Sequence, residues 1–83
     1  MIYLFKSGIE EAKVLVDKNK ELFIATRKTQ HQFKPITEII NIDSRTALKL
    51  SLLIKLMSQK EIDEYLINEF KEMKYTLERI YNE

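Results

Sequence analysis

Two β-prone triplets, Val14-Leu15-Val16 and Leu22-Phe23-Ile24, flank the polar run Asp17-Lys18-Asn19-Lys20-Glu21, and this pattern constrains the fold most. It reads as a β-hairpin. With a three-residue loop at positions 18–20, Val16 opposes Leu22 and Val14 opposes Ile24. Ala12, Val14, Val16, Leu22 and Ile24 then form one wholly apolar face. Slipping the register by one residue would put Glu21 on that face, so the unslipped pairing is preferred. Asn19 or Lys20 must then take the left-handed backbone conformation such a loop requires.

Upstream, Ile2-Tyr3-Leu4-Phe5-Lys6 is short, β-prone and nearly all apolar, as in a strand buried on both faces. Ser7-Gly8 interrupts it. Residues 8–17 admit two readings. Ser7 with Glu10 fits a capping box, and Ile9, Ala12 and Val16 share one helical face. The hairpin register instead favours a three-stranded antiparallel meander. The polar stretch 26–34 reads as a strand end running into a loop.

The remainder reads as helical. Pro35 suits a first helical position, with Ile36, Ile39 and Ile40 on one face of a short helix ending near Asn41. Asp43 or Ser44 caps a second helix reaching about Met57. Its apolar residues, Leu48, Leu52 and Leu56 among them, spread round almost the whole cylinder. Ser58-Gln59-Lys60-Glu61 is a capping box that opens a third helix, expected to reach about Tyr81. Leu66, Phe70, Met73, Leu77 and Ile80 follow the 4-3-4-3 spacing of a heptad seam. The expected fold is therefore α+β in one domain, residues 1–83. A small N-terminal antiparallel β element (hairpin or meander, 1–28) precedes a short helix and a two-helix hairpin (35–83).

Composition limits the chemistry. The 83 residues include no Cys, one His, one Gly and one Pro, with a net charge of +1. No disulfide framework or thiolate metal site is available, and one glycine cannot build a Gly-rich phosphate cradle. The single histidine, His31, has no sequence-adjacent nucleophile. The carboxylate pairs Glu10/Glu11 and Asp63/Glu64 are neighbours that diverge on a helix. No catalytic, cofactor-binding or metal-binding residues are expected. No apolar run approaches the roughly 20 residues of a membrane helix, and no signal-peptide pattern is present, so a cytoplasmic protein is expected.

Charge is unevenly placed. Residues 22–37 carry Arg27, Lys28 and Lys34 with His31 and no Asp or Glu, whereas residues 58–83 hold seven acidic and four basic side chains. Arg27, Lys28, His31 and Lys34 are thus candidates for binding an acidic partner. Leu48, Leu52, Leu56, Leu66, Phe70, Met73, Leu77 and Ile80 are candidates for self-association or partner contact. The expected function is that of a non-enzymatic regulator acting by protein–protein contact as a homodimer. Lys outnumbers Arg 11 to 3, a usage that goes with AT-rich coding DNA and suits a phage- or plasmid-type inhibitor or modulator of a host factor. The alternative is a DNA-binding transcriptional regulator using Arg27, Lys28 and Lys34 with a helix starting at Ser44.

Overall fold

The computed structural model describes residues 1–36, 49 and 52–82. Strand β1 (Ile2–Ser7) turns at Gly8 and Ile9 into β2 (Glu10–Val16), and the two pair antiparallel with Ser7 opposite Glu10. Gly8 has φ 62°, the left-handed value that a tight hairpin needs at its first central residue. Residues 8–17 are therefore strand and turn, without a helix. The β2–β3 loop closes on Asp17, whose Oδ1 accepts from the Asn19 and Glu21 N–H groups, each at 2.9 Å. Lys20 takes the left-handed position with φ 59°. Strand β3 (Leu22–Ala25) follows in the register set by the apolar face, Val16 opposite Leu22 and Val14 opposite Ile24.

The rest of the architecture differs from the expected helical hairpin. Among the described residues, five strands form one antiparallel sheet in the order β4-β3-β2-β1-β5. A 14-residue helix, α1 (Gln59–Glu72), packs on one face through Ile62, Leu66 and Phe70. Pro35 does not open a helix. It lies in β4 (Lys34–Pro35), opposite Phe23 at the sheet edge, where its missing N–H costs no ladder bond. Stretch 26–34 is more ordered than a plain loop. Arg27–Thr29 is a 3-10 turn in which Thr26 and Thr29 cap one another reciprocally.

The third helix starts where its capping box puts it. The Glu61 N–H donates to Ser58 Oγ at 3.3 Å and the Ser58 N–H to Glu61 Oε1 at 3.1 Å. It ends nine residues short of Tyr81. Lys74 turns left-handed with φ 70°, and the chain continues as β5 (Thr76–Tyr81) beside β1. A strand with apolar residues on both faces, as β1 has, needs a neighbour on each side for its backbone groups, and β5 supplies the second. Glu78 is an extra residue at a β-bulge, because Leu4 pairs with Arg79 and Phe5 with Leu77. Both Leu77 and Ile80 thereby point towards α1.

The core lies between sheet and helix. Tyr3, Phe5, Ala12, Val14, Val16, Leu22 and Ile24 line the inner sheet face, and Ile36, Ile54, Ile62, Leu66 and Phe70 pack on them. Phe5 and Phe70 stack at 4.2 Å with their planes 8° apart, and Tyr75 meets Phe70 edge-on at 5.9 Å. The short helix of residues 35–41 beyond Ile36, and the cap at Asp43 or Ser44, lie outside the described residues. Lys49 and residues 52–54 are helical. Among the described residues, no helix is long and apolar enough to cross a membrane.

Candidate functional site

Antiparallel pairing sends alternate residues to opposite faces, so the strands that build the core also build an outer surface. On the sheet face away from α1, Tyr81 pairs with Ile2, Ile2 with Leu15, Leu15 with Phe23, and Phe23 with Pro35. An apolar row thus crosses all five strands. It spans four inter-strand steps of about 4.8 Å, roughly 19 Å in all. Its members are half-buried by their neighbours, and Ile2, Leu15, Phe23 and Tyr81 lie outside the core cluster. The next row holds Arg79, Leu4, Lys13 and Ala25, with Lys6 opposite Glu11 beyond it. Phe33, two residues before Pro35, is 37% exposed.

The charges beside this row are partly neutralised. Lys6 Nζ lies 3.1 Å from Glu78, Lys13 Nζ 3.9 Å from Glu11, and Arg27 3.7 Å from Glu10. Arg79 instead sits 4.6 Å from the centre of the Tyr81 ring. Lys28 and Lys34 are exposed and make no ion pair with a described residue.

The residues singled out from the sequence fall in separate places. Arg27, Lys28 and His31 lie in the connection from β3 to β4, whereas Lys34 is in β4 opposite Ile24, at the sheet edge on the α1 side. His31 is exposed, with φ 61°, and its backbone N–H donates to the Thr26 carbonyl at 2.8 Å. The heptad seam does not exist as one surface. Leu66 and Phe70 are buried against the sheet, Met73 is the helix C-cap and 47% exposed, and Leu77 and Ile80 belong to β5. These five residues therefore cannot dimerise as a helical stripe. Leu52 and Leu56 are exposed, at 59% and 86%, while Leu48 lies outside the described residues.

The outer row itself was missed, although part of its signal was available. The register that puts Val14 opposite Ile24 must also put Leu15 opposite Phe23 on the other face.

A second feature is a shallow cleft of about 410 Å³ between the β2–β3 loop and the start of α1. Met1, Val16, Asp17, Lys18, Lys20, Gln59, Ile62 and Asn82 line it. Three of its polar side chains already serve structure. Lys20 Nζ donates to the Met57 carbonyl at 2.6 Å, Asp17 holds the loop, and Gln59 bonds both Tyr3 Oη and Asp63 Oδ1. Behind it, the Tyr3 hydroxyl donates to Asp63 Oδ1. Burial first, then Asp63 as acceptor and as charge, raises the Tyr3 pKa well above the phenolic range. A tyrosine so held stays protonated and positions α1 on β1. Among the described residues, no three His, Cys, Asp or Glu side chains group to hold a metal.

Comparison with family models, with curated proteins and with solved structures finds no match for this chain.

Proposed function

We propose that this chain is a small non-enzymatic regulator of the cytoplasm that acts by binding another protein through the sheet face opposite α1. The observation that carries the reading is the apolar row Tyr81-Ile2-Leu15-Phe23-Pro35. An antiparallel sheet with one solvated face ordinarily alternates apolar-in with polar-out. Here the outward positions of one whole row are apolar, two of them aromatic, which is the enrichment seen at interface centres.

The size of the row argues for a partner other than a second copy. A strip roughly 19 Å long and about 10 Å wide offers on the order of 190 Å², against about 800 Å² per partner in a standard stable interface. Two copies meeting on it would associate weakly. With the heptad seam dissolved, one of the two grounds for homodimerisation is gone, the exposed Leu52 and Leu56 being the other, and a narrow segment of a different protein fits the strip better. A phage- or plasmid-type inhibitor of a host factor is one setting for such a module.

Photo-crosslinking in the source cell tests the reading. A photoreactive phenylalanine at position 23 is expected to give a discrete adduct that protease removes and nuclease does not. The same group at Asn68, on the exposed side of α1, is expected to give none. A nuclease-sensitive adduct would instead establish the DNA-binding alternative. Equal adducts from both positions, or none from position 23, would reject the sheet face as the contact surface.

A further inference from the structure

We infer that two copies of this chain join edge to edge, β5 against β5, antiparallel about a two-fold axis between Glu78 and Arg79. The contact is separate from the outer apolar row and leaves that row open, so it stands independently of the proposed function.

A sheet edge presents a row of unmatched N–H and C=O groups, and the two edges here differ. Strand β4 is two residues long and consists of Lys34 and Pro35, both of which discourage a further strand. Strand β5 is six residues long with neither Lys nor Pro, and among the described residues no strand pairs on its far side. Its bulge would ordinarily spoil the edge, because one strand then has a residue too many for its neighbour. A second copy carries the same bulge. About the two-fold axis the extra residues meet each other, and the pairing closes as an isologous dimer.

Three properties match in this register, which sets Thr76 opposite Tyr81, Leu77 opposite Ile80 and Glu78 opposite Arg79, each twice. The first is facing. Leu77 and Ile80 point towards α1, whereas Thr76, Arg79 and Tyr81 take outward positions, opposite Lys6, Leu4 and Ile2. Glu78 joins the outward set, its carboxylate 3.1 Å from Lys6. Moving the register by one or two residues either way sets an inward residue against an outward one, which a sheet does not allow. The second is hydrogen-bonding phase. Tyr3 and Phe5 are two apart on β1, so their partners Ile80 and Leu77 present their backbone groups to the same edge.

The third is charge. Glu78 and Arg79 are both exposed, and Arg79 makes no ion pair with a described residue. Across the axis each meets the other's opposite, and the Glu78 carboxylate can accept from Lys6 of its own chain and from the facing guanidinium together. Parallel in-register pairing would instead set Glu78 against Glu78 and Arg79 against Arg79.

Six residues of strand edge cover far less than the roughly 800 Å² per partner of a standard interface, so the dimer is weak, with a Kd on the order of 0.1 mM. Sedimentation equilibrium tests it, the mass rising from 9.9 kDa towards twice that value as the chain approaches about 1 mM. Glu78→Arg and Arg79→Glu are each expected to weaken association about tenfold, since each sets like charges opposite one another twice. Mixed in equal amounts, the two variants set opposite charges together twice and are expected to associate as the native chain does. Amide exchange needs no variant: protection in β5 is expected to rise with concentration while that of α1 stays constant. A native chain that remains monomeric at about 1 mM would overturn the inference. So would a dimer with unchanged β5 protection. Association indifferent to both charge variants but lost in Leu56→Glu or Phe23→Glu would move the contact elsewhere and likewise overturn it.

Discussion

The Tyr3 hydroxyl, on a fully buried side chain of β1, donates to Asp63 Oδ1 on the first turns of α1, with Gln59 Nε2 donating to the same hydroxyl at 2.8 Å. This contact joins residues 60 positions apart and fixes the helix across β1. Tyr3→Phe removes it while keeping the ring against Phe5. A loss of about 1–2 kcal/mol is expected, the usual worth of a hydrogen bond to a charged acceptor, read from urea unfolding.

The same contact makes stability depend on alkaline pH. The folded-state pKa of Tyr3 lies above its unfolded value of 10.0, so the stabilisation is complete below pH 10.0 and declines as pH rises beyond it. Unfolding midpoints measured from pH 8 to 11 are expected to fall more steeply in the native chain than in Tyr3→Phe. Parallel curves would show that Tyr3 does not carry the dependence.

At the start of α1, Ser58 and Glu61 cap one another, and their hydrogen bonds, backbone first, hold the Glu61 carboxyl below its ordinary range. Ser58→Ala is expected to cost about 1 kcal/mol, measured in the same unfolding experiment. The Glu61 contribution has the opposite sign in pH to that of Tyr3. It is present above the ordinary carboxylate range and is lost as pH falls through the lowered folded value.

Lys74 ends α1 in the left-handed region with φ 70°, where a side chain is disfavoured by about 1–2 kcal/mol. Lys74→Gly is expected to raise stability by several tenths of a kcal/mol, the backbone entropy of glycine offsetting part of the gain. A raised midpoint with an unchanged denaturant slope would confirm it, and a lowered one would contradict it.

How much of this was legible depended on whether the signal was local. Val14, Val16, Leu22 and Ile24 announced their pairing because the alternation and the loop lie within about a dozen consecutive residues. Ser58 and Glu61 announced the helix start for the same reason. The strand β5 was hidden by its own bulge. Because Glu78 is an extra residue, Leu77 and Ile80 face the core at a spacing of three, and with Phe70 and Met73 that spacing continues a helical repeat. Pro35 satisfied both a helix start and an edge strand, and only its partner Phe23 decided between them. The outer row is the least local feature. Residues 2, 15, 23, 35 and 81 become neighbours only after the whole sheet is assembled, so no window of sequence contains it.

The account stands on that row being the contact surface. The most direct measurement is a methyl-resolved NMR titration of the full chain with the partner protein recovered by the photo-crosslink at position 23. Shifts are expected at Ile2 and Leu15, with Ile62 and Leu66 beneath the other face unmoved. Shifts confined to the exposed Leu52 and Leu56, with Ile2 and Leu15 unchanged, would contradict it and move the binding surface to the segment before α1.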